Sequence, residues 1–125
     1  MERINRGNLY YAVLDEASIG SEQSGIRPVV ILQNNVGNEH SPTIIVAPIT
    51  SKVNSKAKMP THVFIKGYKN RLERNSLILT EQIKTIDKTR LRYYIGALDA
   101  GEIKKVDKAL IISLGIKNVK CTNLT

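Results

Sequence analysis

Gly25-Ile26-Arg27-Pro28-Val29-Val30-Ile31-Leu32-Gln33-Asn34 is the stretch on which the fold turns. Residues 26–33 are almost continuously apolar, which predicts a strand buried on both faces rather than one alternating between core and water. Pro28 is expected at the start of that strand, because proline has no N–H to give to a ladder. Residues 15–25 before it form a long loop with the turn formers Ser18, Gly20, Ser21, Ser24 and Gly25. Arg27 therefore stands at the mouth of an apolar strand, with no acidic residue beside it in sequence. That placement suits an arginine that holds a phosphate.

Working outward, residues 9–14 read as an earlier strand, residues 43–49 as a third apolar strand and residues 61–65 as a short one. Residues 34–42 read as a turn region, and residues 51–60 as a polar loop carrying Lys52, Lys56 and Lys58. Residues 67–75 are basic and turn-like. Residues 76–85 alternate, with Leu77, Leu79, Glu81 and Ile83 on one side and Ile78, Thr80, Gln82 and Lys84 on the other. Residues 86–98 receive no element. Further on the period changes. Asp99-Ala100-Gly101-Glu102 has the spacing of a capping box, and Ile103, Val106, Leu110 and Leu114 follow at helical spacing, with Lys104, Lys105, Asp107 and Lys108 facing out. Gly115 is a natural stop. The pattern predicts a mainly β domain with short helices, a small barrel closed off by a C-terminal helix, over residues 1–116. Residues 117–125 read as a polar, frayed tail.

A chain of 125 residues is long enough for one core and too short for two. The single cysteine, Cys121, excludes an internal disulfide and a cysteine-based zinc site. No apolar run is long enough to cross a membrane, and the polar start Met1-Glu2-Arg3-Ile4-Asn5-Arg6 is unlike a signal peptide, so a cytoplasmic protein without membrane partners is expected. The formal net charge is +8. Residues 52–92 hold eleven Lys/Arg against Glu73, Glu81 and Asp87, while the rest of the chain balances at eight against eight. One region thus supplies the whole excess. A basic face of this kind captures polyanions and acidic peptides, although charge alone leaves a merely solvated face equally open.

Candidate chemistry is sparse. There is no phosphate-binding glycine loop followed by lysine, no H-E-x-x-H and no Cys/His cluster; the histidines are His40 and His62. Carboxylates are scattered, which argues against a two-metal nuclease centre and leaves no cofactor or metal to expect. A nuclease built this way would act on RNA, which brings its own nucleophile in the 2′-hydroxyl. Such an enzyme has only to align that hydroxyl, stabilise the phosphorane and manage two protons. Arg27 fits the second task, since its planar fork can donate two hydrogen bonds to phosphate oxygens; a surface salt bridge is the plain structural use. Thr50 ends an apolar strand and offers a hydroxyl, or else caps a turn. His62 can move protons near neutral pH, or pack as an inert strand residue. Glu81 and Gln82 can read base edges, or lie on a solvated strand face. Ser21, Glu22 and Gln23 lie on the long loop, where binding residues concentrate.

Read together, the segments resemble the MazF/PemK family of toxin ribonucleases, in particular its Gram-positive branch. The resemblance rests on Arg6-Gly7-Asn8-Leu9-Tyr10, Gly20-Ser21-Glu22-Gln23-Ser24-Gly25-Ile26-Arg27-Pro28-Val29, Gln33-Asn34-Asn35-Val36-Gly37-Asn38, Ala47-Pro48-Ile49-Thr50, Pro60-Thr61-His62-Val63 and Leu79-Thr80-Glu81-Gln82-Ile83-Lys84-Thr85-Ile86-Asp87. It implies an SH3-like β-barrel, as in the MazF, PemK and CcdB toxins, working as a homodimer. The implied activity is metal-independent cleavage of single-stranded mRNA at a short, UACAU-like motif, leaving 2′,3′-cyclic phosphate and 5′-hydroxyl ends. Arg27 and Thr50 fall on the family's catalytic pair. The resemblance further implies that Ser21, Glu22 and Gln23 close over RNA, and that Asn34, Met59, His62, Ser76, Glu81 and Gln82 line the base pockets. It also implies an acidic, MazE-like antitoxin as partner. Arginine holds its proton too tightly to serve as a base, so charge stabilisation is the role expected of Arg27.

Two positions depart from the family pattern. Asn8 stands where many relatives have an acid, and Pro48 stands where a small residue is common, a change expected to alter strand pairing next to Thr50. Residues beyond Asn118 have no family counterpart. Competing readings are a same-fold toxin of the gyrase-poison type, which depends on a C-terminal tryptophan that this sequence lacks, and a non-catalytic module that only binds RNA.

Overall fold

Burial of both faces of one strand organises the chain. The computed structural model describes residues 3–14, 25–54 and 59–117. Strand β2 (Ile26–Ile31) lies between β1 (Asn8–Val13) and β3 (Thr43–Thr50), antiparallel to both. Val29 and Ile31 point into one apolar cluster, with Tyr10, Ala12, Ile44 and Val46; Val30 and Leu32 point into the other, with Leu9, Ala47 and Ile49. Each such side chain contributes about 1.5–3 kcal/mol when fully buried. The continuous apolar run of β2 therefore means what the sequence implies, two cores served by one strand.

The sheet order is β4 (His62–Ile65), β5 (Ser76–Leu79), β3, β2, β1, β7 (Leu91–Ala97), with β6 (Lys84–Asp87) paired to β3 beside this path. The architecture is the expected one, mainly β with a C-terminal helix. The barrel is only approximated, because β4 and β7 are the two ends of the path and no ladder joins them among the described residues.

On its edge away from β2, β3 serves two partners. Thr43 to Val46 pair with β6, and Ile49 and Thr50 pair with β5. Pro48 falls in the gap between these ladders, where a missing N–H leaves no bond unmade. β3 runs through it unbroken and pairs it with Val29. The expected disturbance beside Thr50 is thus absorbed at the hand-over. Pro28 is the third residue of β2 rather than its first, and the β3 ladder opens one residue later, at Val29.

Three other expectations change. The turn at 34–42 contains the short helix α1 (Asn35–His40), started by Asn34, whose side-chain oxygen accepts from the Gly37 N–H at 2.8 Å. The strand expected over 76–85 is two strands separated by a 3-10 turn at Thr80–Gln82, and all four residues of β5 are buried instead of alternating. Thr80 causes the break: its N–H and hydroxyl both reach the Thr61 carbonyl, at 3.1 and 2.6 Å. Residues 91–97, which received no element, form β7.

Helix α2 (Ala100–Leu114) starts on the predicted capping box, both halves of which form: Glu102 N–H to Asp99 Oδ1 at 2.7 Å, and Asp99 N–H to Glu102 Oε1 at 3.0 Å. Val106 and Ala109 enter the core beside Val63 and Ile65, with Ile103 and Leu110 packed against it. Leu114, expected on the same stripe, is exposed. Gly115 ends the helix at φ +66. Asp107 is drawn from its expected outward position into an ion pair with Arg6 at 2.7 Å, and Arg6 Nε donates to the Leu32 carbonyl at 2.8 Å, which ties the helix to the end of β2. No helix among the described residues is long and apolar enough to cross a membrane.

Two predictions test this framework. A Cβ on Gly67 would lie 2.4 Å from the carbonyl carbon and oxygen of Arg74. Gly67→Ala is expected to cost about 1–3 kcal/mol or more, read from urea unfolding. Asp99 is held below its ordinary value of 3.8, first by the hydrogen bond from Lys69 and then by the Glu102 N–H. A lowered folded-state value stabilises above pH 3.8 and is lost as pH falls through it. Asp99→Asn keeps a capping oxygen but has no charge to lose, so its melting temperature should fall less steeply than the wild type's below about pH 4.

Candidate nucleic-acid interface

The β2–β3 register decides what meets at the open end of these strands. Val29 pairs with Pro48, Val30 with Ala47 and Ile31 with Val46. Continued by two residues, the same antiparallel register brings Arg27 level with Thr50. Arg27 also pairs with Ala12 of β1, and Thr50 with Leu77 of β5. The β2–β3 ladder itself stops at Val29 and Pro48, so Arg27 and Thr50 each lie two residues beyond it on neighbouring strands.

A cavity of about 210 Å³ opens at this point. Arg27 and Tyr11 line one side, Ile49 and Ser51 the strand end, and Arg74 and Ser76 the wall formed by the turn into β5. Thr50 itself is 2% exposed, and its Oγ1 accepts the Lys52 N–H at 3.2 Å. That contact uses a lone pair and leaves the hydroxyl proton available for donation. The turn-capping use of Thr50 is therefore real and compatible with a second one. Ser76 is buried, with its hydroxyl donating to the Arg74 carbonyl at 2.9 Å.

A second group forms at the start of β4. His62 Nε2 lies 2.9 Å from Glu81 Oε2, and the other oxygen of Glu81 accepts the Thr61 hydroxyl at 3.0 Å. The His62 side chain is 6% exposed, and its Nδ1 is buried without a hydrogen-bond partner among the described residues. The carboxylate fixes the orientation of the ring, with Nε2 directed at Glu81. The His62 N–H donates to the Met59 carbonyl at 2.9 Å, which brings Met59, exposed, next to the pair. His62 also lines a groove of about 260 Å³ with Phe64, Lys105 and Lys108.

The predicted residues therefore separate into places. Arg27 and Ser76 line one cavity, and Thr50 is buried between two further lining residues, Ile49 and Ser51. Met59, His62 and Glu81 form a neighbouring group, and Gln82 is half-buried beside Glu81. Asn34 stands apart as the cap of α1. Ser21, Glu22 and Gln23 lie outside the described residues. The cavity adds Tyr11, Ser51, Glu73 and Arg74. Of these only Ser51, next to Thr50, and Arg74, inside the basic run 67–75, carried any signal in the sequence.

Residues 5–114 match the family model described as PemK-like, MazF-like toxin of type II toxin-antitoxin system. Among solved structures, the chain is similar to the Mycobacterium tuberculosis toxin MazF-mt6, at 26% identity over 89% of this chain and 99% of that one, with a TM-score of 0.74. It is also similar in fold to MazF from Deinococcus radiodurans, at 20% identity over 93% and 100% of the two chains, with a TM-score of 0.76. An endoribonuclease from a mycobacterial species, solved in complex with its cognate antitoxin, shares the fold at 24% identity over 95% and 100%, with a TM-score of 0.71.

The His62–Glu81 pair gives a test independent of any ligand. Glu81→Ala strips partners from the Thr61 hydroxyl and from a nearly buried imidazole. A loss of about 1–3 kcal/mol in urea unfolding is expected, against about 0.5 kcal/mol for a solvated strand-face residue.

Proposed function

The chain belongs to the PemK-like, MazF-like family of toxins of type II toxin–antitoxin systems, and from that premise we propose that it is a sequence-specific endoribonuclease cutting single-stranded mRNA without a metal ion. The observation that carries this reading is a cavity with Arg27 on its wall and with Ile49 and Ser51, the residues on either side of Thr50, lining the end of β3.

The chemistry follows from those groups. The 2′-oxygen of one nucleotide attacks the adjacent phosphorus and loses its proton; the bond to the 5′-oxygen breaks, and that oxygen gains a proton. The ends are a 2′,3′-cyclic phosphate and a 5′-hydroxyl. Arg27 donates to the non-bridging oxygens and stabilises the charge that builds on the phosphorane. Thr50 donates its free hydroxyl proton to the same phosphate and orients it. Asn34, Met59, His62, Ser76, Glu81 and Gln82 contact bases, and Ser21, Glu22 and Gln23 contact RNA from the preceding loop.

The net +8 of residues 52–92 supports two polyanionic partners for one face. One is the RNA, and the other an acidic antitoxin that inhibits by occupying the same surface. The working form in this reading is a cytoplasmic homodimer.

Mapping 5′ ends after incubation with a long single-stranded RNA in excess chelator tests the proposal. Cuts at one short motif are expected, abolished by a single 2′-deoxy substitution at the attacking nucleotide. Arg27→Ala should lower the rate by about 10²–10³ while folding normally. A fully active Arg27→Ala protein sinks the assignment, and a folded wild type that binds RNA without cutting it makes the chain a non-catalytic binder.

A further inference from the structure

Two arginines, not one, reach the cavity at the end of β2: Arg27 from the strand and Arg74 from the turn that leads into β5. The backbone around Arg74 is held from several directions. Its carbonyl accepts the Ser76 hydroxyl, and Gly67 packs so closely on it that a methyl group would not fit. The Gly67 N–H donates to Asn75 Oδ1 at 3.0 Å, and the Gly67 carbonyl accepts from Asn70 and Leu72 at 3.0 and 2.9 Å. Asn70 in turn bonds the Lys66 carbonyl and Glu102 of α2. None of these contacts uses the Arg74 guanidinium, which has no hydrogen bond or ion pair among the described residues. A rigid backbone thus presents an uncommitted cation into the same space as Arg27.

We infer that Arg74 is a substrate-positioning residue, binding the phosphodiester next in line to the one that Arg27 faces. This rests on the ribonuclease reading above. Each phosphodiester carries one negative charge, so a strand laid through the cavity brings a second anion that Arg27 does not answer. A guanidinium on a fixed turn meets it in bidentate geometry at small entropic cost. Glu73 lines the same cavity, and its carboxylate repels a phosphate placed there. Attraction at Arg74 and repulsion at Glu73 together fix the register of the strand, and with it the bond presented to Arg27.

The experiment uses an RNA carrying the mapped cut site, made uncleavable by a 2′-deoxy residue at the attacking position. Its dissociation constant is measured against KCl concentration for wild type, Arg74→Ala, Arg74→Gln and Arg74→Lys; the cleavable RNA gives kcat and KM. One lost contact to a single strand should flatten the slope of log Kd against log salt by about 0.7. KM should rise about tenfold or more, with kcat within about threefold of wild type. Arg74→Lys should restore the slope, which a role in folding would not explain, and Arg74→Gln stands in should the alanine variant unfold. An unchanged slope in a folded variant, beside a wild type that cuts, overturns this inference alone. A fall in kcat at constant KM also overturns it, by placing Arg74 on the reacting phosphate. A wild type that neither binds nor cuts removes the ribonuclease reading and this one together.

Discussion

Everything here depends on β2 being buried on both faces. A strand with even one buried face has its register fixed, because a slip of one residue turns its apolar side chains to the other face. In β2 both faces carry that constraint: a slip would move Val29 and Ile31 into the cluster built for Val30 and Leu32, and the reverse. The ladders to β1 and β3 are pinned as a result. Arg27 is carried at the end of this pinned strand, and Thr50 at the matching end of its neighbour. Core packing sets where both strand ends lie, so placing them needs no energy from the site itself. A preorganised donor of this kind acts on a transition state without first being ordered.

Much of this was legible in the sequence, because the decisive patterns are local. A run of β-branched and leucine residues announces two buried faces. Asp99 and Glu102, three apart ahead of a helical stripe, announce a helix start. Arg27 and Thr50 are each legible from their places at strand ends, but only the resemblance pairs them, since nothing local links residues 23 positions apart.

What the sequence hid are features settled by distant partners. Residues 76–85 look like one alternating strand, but Thr80 is captured by the carbonyl of Thr61 and, at its own carbonyl, by the hydroxyl of Ser113 in α2 at 2.9 Å. Glu81 stays on the surface as its pattern implies, but no local pattern announces that Thr61 and His62 both engage its carboxylate. α1 is masked by composition: Asn35-Val36-Gly37-Asn38 is a turn by any local rule, and it becomes helical because Asn34 caps it and the side chain of Asn38 bonds the Gln33 carbonyl at 2.9 Å. β7 had a local signal in Tyr93-Tyr94-Ile95, but its first face is exposed and no alternation marks it. Tyr94 finds its place edge-on to Tyr10 of β1, at 5.6 Å between ring centroids.

The double service of β3 has a consequence for biosynthesis. One edge of this strand is completed by residues 26–31, and the other by residues 76–79 and 84–87. The cavity wall opposite Arg27 comes from residues just before β5, and α2 closes one core only at the end of the described chain. Contacts this distant in sequence form late and slowly. A nascent chain emerging N-terminus first carries Arg27 and Thr50 into the cell well before it carries the surroundings that give them a shape.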